Sequence, residues 1–172
     1  DGRWRFRFDA GDTGETKGWF RTGVRDRICQ VPGSWQAVFE DLNATVGTAW
    51  YEREFRLDAR FRNRRIAVVF CGANYYARVW VNGQLAGEHE GGQLPFAVDI
   101  TRLARFDRAN RITVRVSDPA DQLEFPVGPA QTEMHRISGI WRSVWLEATG
   151  STHISDLHAA PDIDAAVARV QT

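Results

Sequence analysis

Short runs of alternating apolar and polar residues, separated by turn-forming residues, recur along this chain and constrain its fold more than any other feature. In Tyr76-Ala77-Arg78-Val79-Trp80-Val81-Asn82, Ala77, Val79 and Val81 fall on one face and Tyr76, Arg78, Trp80 and Asn82 on the other. Asn82-Gly83 then supplies the preferred two-residue hairpin turn, because both residues tolerate positive φ, and the chain reverses into Gln84 to Gly87. Arg111 to Ser117 repeats the pattern with Ile112, Val114 and Val116 inward. Ile140 to Glu147 does so again, with Ile140, Val144 and Leu146 opposed to Trp141, Trp145 and Glu147.

Further strands are expected at Arg5 to Phe8, Arg27 to Val31, Trp50 to Leu57, Arg65 to Gly72, Phe96 to Ile100, His153 to Ala159 and Ala166 to Gln171. Ile66 to Cys71 is apolar on both faces, as a central strand covered on both sides would be. Ser34 to Leu42 has room for one or two helical turns, and no longer window carries a helical stripe. Many short strands with turns between them predict an all-β fold, a sandwich or jelly roll. Loops at 11 to 26, 36 to 48 and 118 to 138 are long for a compact domain and are the expected place for a binding surface.

At 172 residues the chain has room for one domain and a short extension. Its 22 basic and 22 acidic residues balance, which removes the electrostatic footprint of a nucleic-acid or membrane-surface partner. No apolar run approaches the length of a bilayer span. Cys29 and Cys71 each sit in an apolar stretch and are expected to be free, buried thiols. The chain opens on Asp1-Gly2-Arg3-Trp4, already inside a patterned segment, and its one methionine is Met134, so processing or trimming upstream of Asp1 is expected.

Chemistry-bearing constellations are sparse. His89, His135, His153 and His158 lack metal-ligand spacing, and neither cysteine has a histidine nearby in sequence. Neither a metal nor a cofactor is expected. Asp118, Asp121, Glu124 and Glu133 could pair as carboxylates or ligate calcium, but a solvated loop is the expectation. Aromatic residues are 12% of the chain, and Trp80, Trp141 and Trp145 either fill a second core layer or face a groove, with core packing expected.

Six motifs occur in order: Asp1-Gly2-Arg3-Trp4-Arg5-Phe6, Val31-Pro32-Gly33-Ser34-Trp35-Gln36, Trp50-Tyr51-Glu52-Arg53-Glu54-Phe55, Val79-Trp80-Val81-Asn82-Gly83, Glu88-His89-Glu90-Gly91-Gly92 with Pro95-Phe96, and Gly139-Ile140-Trp141-Arg142 with Val144-Trp145-Leu146-Glu147. Together they resemble the N-terminal sugar-binding domain of glycoside hydrolase family 2, the β-galactosidase, β-glucuronidase and β-mannosidase group. The E-H-x-G-G-x-x-P-F stretch and the V-P-G-S loop look closer to the β-glucuronidase branch than to the large bacterial β-galactosidases.

The resemblance implies a galactose-binding-domain-like jelly-roll β-sandwich over residues 1–149. Residues 150–172 would be the truncated start of a following immunoglobulin-like β-sandwich domain. Enzymes of this family retain configuration with two glutamates about 5 Å apart, carried on a barrel domain that would lie beyond Thr172. The resemblance therefore implies no catalytic residue in this chain. It does imply two substrate-binding residues, Glu133 ahead of Met134-His135-Arg136-Ile137-Ser138-Gly139, where the family usually has aspartate, and Ser34, where β-galactosidases have asparagine. The expected function is a non-catalytic wall and support for a retaining β-glycosidase. Its partners would be a β-glycoside and the immunoglobulin-like and barrel domains of the same chain. Two alternatives stay open from the residues alone: an independent carbohydrate-binding module or lectin, and a purely structural interaction domain.

Overall fold

A computed structural model describes residues 1–118, 137–150, 152–154 and 157–171. The strands are β1 (Gly2–Asp9), β2 (Arg27–Val31), β3 (Gly47–Phe55), β4 (Arg65–Phe70), β5 (Tyr76–Val81), β6 (Gln84–Glu90), β7 (Phe96–Asp99), β8 (Asn110–Asp118), β9 (Val144–Thr149), β10 (His158–Asp162) and β11 (Val167–Gln171). Two one-turn helices, α1 (Trp19–Thr22) and α2 (Trp35–Val38), interrupt them. Each strand expected from alternation is present, with ends displaced by a few residues. The largest displacement is at β10, which begins at His158 rather than His153.

Six strands form one sheet in the order β2-β1-β3-β8-β5-β6, and β7-β4-β9 form a second, all neighbours antiparallel. The inner faces of the two sheets share one core. Phe6, Tyr51, Val79 and Val114 come from the larger sheet, and Ile66, Val68, Phe70 and Val98 from the smaller. The molecule is therefore an all-β jelly-roll sandwich. The inward triad Ile112, Val114 and Val116 of β8 pairs with Arg53, Tyr51 and Ala49 of β3, so alternation along one strand is matched across the ladder. At the β5–β6 reversal Asn82 and Gly83 both have positive φ, 54° and 81°, as their residue types predict.

A second apolar layer covers the outer face of the larger sheet. Trp50 of β3 and Trp80 of β5 stack with centroids 5.3 Å apart, Phe20 stacks on Trp80 at 5.2 Å, and Trp19 meets Trp50 edge-on at 5.9 Å. The 11–26 segment that supplies Trp19 and Phe20 is strapped down by buried carboxylates. Asp9 accepts from Thr13 N at 3.0 Å, Gly14 N at 2.7 Å and Trp50 Nε1 at 3.0 Å. Glu52 accepts from Val24 N at 3.0 Å and Arg5 Nη1 at 2.6 Å. Each buried acid thus has hydrogen-bond donors within reach, which a buried acid requires.

The expectation for the three tryptophans holds for Trp80 and fails for Trp145. Trp80 is buried in the second layer, whereas Trp145 is 45% exposed. Trp141 is half-buried and donates from Nε1 to Gly92 O at 2.9 Å. Leu146, expected inward, is 40% exposed although it pairs with the buried Val68. β9 is an edge strand, buried only at its first residue, Val144, and exposed through Ala148. Both cysteines are free, Cys29 buried and Cys71 half-buried.

Strands β10 and β11 form a separate two-stranded hairpin whose residues are exposed apart from Asp162. Among the described residues, no helix is long and apolar enough to cross a membrane.

Candidate functional site

One end of the sandwich gathers the residues that sequence motifs single out. The Val31–Pro32 peptide is cis, and the loop after β2 runs directly into α2. Ser34 caps that helix, accepting from Gln36 N at 3.2 Å in the manner of an N-cap serine. Its hydroxyl also donates to Gln36 Oε1 at 2.5 Å. Ser34 is half-buried, at the rim of the sandwich end rather than in the core.

Gln36 joins this loop to residues a hundred positions away. Its Nε2 donates to Thr45 O at 3.0 Å and to Ser138 Oγ at 2.5 Å, and its Oε1 accepts from Ser138 N at 3.1 Å. Both amide protons and both carbonyl lone pairs are thereby used. Ser138, fully buried, donates a hydrogen bond from its hydroxyl to the Asp118 carboxylate. Backbone bonds run in parallel, Gly33 N to Ile140 O at 3.1 Å and Trp35 N to Ser138 O at 3.3 Å. Trp35 is wholly buried beneath them and donates from Nε1 to Thr45 O at 2.9 Å.

Gly139 has to be glycine. Its φ is +95°, and a Cβ there would collide with the Tyr51 hydroxyl and lie 3.0 Å from Trp35. This close approach lets Gly139 pair with Asn74, with Asn74 N donating to Gly139 O at 2.9 Å and Gly139 N to Asn74 O at 3.0 Å. Tyr75 N, in turn, bonds Ser117 O at 3.1 Å beside the end of β8. Burial, and then the neighbouring Cys29, hold the Tyr51 hydroxyl well above its ordinary pKa, so it stays protonated.

Asp118 and Ser138, therefore, clamp the two ends of the 119–136 segment against the Ser34 loop. Asp118 was expected in a solvated loop; it is instead buried at 8% exposure, the last residue of β8, and accepts a hydrogen bond. Of the two expected substrate-binding residues, Ser34 belongs to this clamp, while Glu133 lies outside the described residues, as do Asp121 and Glu124. Gln36 and Ser138 were not singled out. Their signal in sequence is the motif neighbourhood alone, since nothing local announces a bond between positions 36 and 138. Among the described residues, no three His, Cys, Asp or Glu side chains are placed to hold a metal ion. What this end offers is a hydrogen-bonded base that joins the end of β8 and Ser138 to the Ser34 turn.

The family described as glycosyl hydrolases family 2, sugar binding domain, matches residues 1–150. β-Glucuronidase of Rattus norvegicus is 31% identical over 196 aligned positions, taking in 95% of this chain and 30% of that protein. A β-galactosidase of Thermoanaerobacter pseudethanolicus is 34% identical over 115 positions, 66% of this chain and 15% of its own length. Among solved structures, a Ruminococcus gnavus β-glucuronidase superposes with TM-score 0.81 at 29% identity, over 92% of this chain and 29% of its own. A β-glucuronidase from Ruminococcus gnavus in complex with D-glucuronic acid gives 0.80 at 27%. This chain spans about 30% of the length of the β-glucuronidases it matches. With six ordered motifs, a jelly-roll sandwich and a match over residues 1–150, this chain belongs to glycosyl hydrolase family 2, as its N-terminal sugar-binding domain.

Proposed function

We propose that this chain is the non-catalytic N-terminal part of a retaining β-glycosidase of β-glucuronidase type, bracing a catalytic barrel and forming one wall of its glycoside pocket. The observation that carries the reading is the alignment of 95% of this chain with 30% of a β-glucuronidase. The barrel glutamates that would perform acid/base and nucleophilic steps about 5 Å apart belong to the remainder of such an enzyme. On this reading residues 150–172, with the exposed β10–β11 hairpin, begin an immunoglobulin-like domain.

The clamped loop gives the proposal its mechanism. A carboxylate such as Glu133 accepts charge-assisted hydrogen bonds from sugar hydroxyls, and those bonds accelerate hydrolysis only when the sugar is held in reacting geometry. The base formed by Ser34, Gln36, Ser138 and Asp118 fixes the two ends of the loop that carries Glu133. Ser34 is the second proposed contact. Both residues position substrate and neither performs a bond-breaking step.

The test is turnover. Incubated alone with 4-nitrophenyl β-D-glucuronide and 4-nitrophenyl β-D-galactoside, this chain is expected to release no nitrophenol. Clear turnover that survives repurification would overturn the proposal.

A further inference from the structure

The far end of the sandwich carries a feature that the pocket-wall role does not use. Two segments meet there, Asp58 to Arg65 leading into β4 and Asp99 to Arg108 leading out of β7, and between them they hold seven arginines against three aspartates in a chain whose 22 basic and 22 acidic residues balance as a whole. Their backbones are fixed. Ile100 N donates to Ile66 O at 2.9 Å and Ile66 N to Thr101 Oγ1 at 2.9 Å. Asn82 Nδ2 holds Leu103 O at 2.8 Å, and the buried Asn110 brackets Arg105 through its N at 2.8 Å and its O at 2.7 Å. Between the segments lies an open groove of about 850 Å³, with Leu85, Leu103 and Phe106 exposing apolar surface and Arg64, Arg65 and Arg102 around it.

The charges of this groove are unequally engaged. Arg65 is paired with Asp99 at 2.9 Å. Arg62 lies over the Phe106 ring at 5.5 Å. Arg64 and Arg102 are exposed, and among the described residues neither has an acidic partner. Leu85 is 46% exposed beside them. Two unneutralised guanidinium forks over an apolar floor suit a ligand that alternates carboxylates with flat hydrocarbon faces.

We propose that this groove binds an acidic oligosaccharide, a glycan bearing carboxylates on its pyranose rings. Arg64 and Arg102 take the carboxylates as paired hydrogen bonds, while Leu85 and Leu103 receive the C–H faces of the rings. The proposal rests on the β-glucuronidase reading above, and it adds a second glycan contact for such an enzyme. The segment after β7 that lines the groove is held by Asn110, the first residue of β8, whereas Asp118 is the last. At about 3.4 Å per residue the two ends of that strand are roughly 27 Å apart, several sugar units.

Isothermal titration of the 172-residue chain with a hyaluronan octasaccharide, in which glucuronate alternates with a neutral sugar, tests the idea directly. Saturable binding is expected, with R64E/R102E weakening it at least ~10-fold. Both arginines are exposed, so the double variant is expected to keep the parent melting temperature. A neutral chitohexaose is expected to bind at least ~10-fold more weakly. The proposal is overturned if no heat is seen up to ~1 mM octasaccharide, or if the double variant binds undiminished. It is equally overturned if a polyglutamate peptide of matched charge binds as tightly, since that would assign the groove to acidic peptides. Loss of this binding would leave the absence of turnover untouched, so the two readings fail separately.

Discussion

Gln36 has four polar positions and uses all of them, two on Ser138, one on Ser34 and one on Thr45. Replacing it by leucine would leave the buried Ser138 amide and hydroxyl short of partners, a loss of about 2 to 3 kcal/mol on the usual scale for orphaned buried groups. Urea unfolding of Gln36→Leu is expected to show that loss, and a change below about 0.5 kcal/mol would mean the network is slack. Cys29 supplies a pH-dependent counterpart. Burial pushes its thiol from an ordinary 9.0 up to about 12, so the folded chain keeps a proton that the unfolded chain gives up above pH 9. Stability is therefore full below pH 9 and falls as pH rises toward 12, at up to about 1.4 kcal/mol per pH unit. Cys29→Ala is expected to flatten the onset of this decline in alkaline urea titrations, leaving a later fall from Tyr51, whose pKa is also raised. At this scale the sequence was partly readable. Cys29 announced itself by its apolar neighbours and Ser34 by its motif. Asp118 did not, because an aspartate closing a strand reads as a turn residue until Ser138 arrives to bond it.

Elements were the most legible scale, since alternation survives wherever one face of a strand is buried. It misled at β9, where Leu146 has the spacing of a core residue but sits on an edge strand that is buried only at Val144. Periodicity reports which face a residue shares, and coverage of that face depends on the neighbours' extent. The second layer shows the converse. Trp50 and Trp80 occupy the face that alternation marks as outward, and the strap from 11 to 26 buries them. Asn82 illustrates how a turn can do more than reverse the chain. Besides adopting positive φ, it donates to Leu103 O and Asn110 Oδ1 and accepts from Arg111 N at 3.1 Å. Asn82→Ala is thus expected to cost about 2 to 3 kcal/mol, well above the tenths typical of an exposed turn substitution. Thermal unfolding can distinguish these outcomes, and a near-neutral variant would show that the turn does not anchor the segment after β7.

For the whole molecule, the sandwich and the β10–β11 hairpin bury almost nothing in common among the described residues, since the hairpin is exposed nearly throughout. A variant ending at Gly150 is accordingly expected to melt within about 2 °C of the 172-residue chain. A drop of more than about 5 °C would show that the hairpin packs on the sandwich. The same sheet order has a consequence for biosynthesis. Strand β3 lies between β1 and β8, and its partnership with β8 joins residues 47–55 to residues 110–118. At about 5 to 20 residues per second, a ribosome delivers β3 several seconds before β8. Until then β1, β2 and β3 can form a three-stranded ribbon with the edge of β3 unpaired and with Trp50 and Tyr51 uncovered on opposite faces. The nascent chain, rather than the finished domain, is where this topology most needs a chaperone.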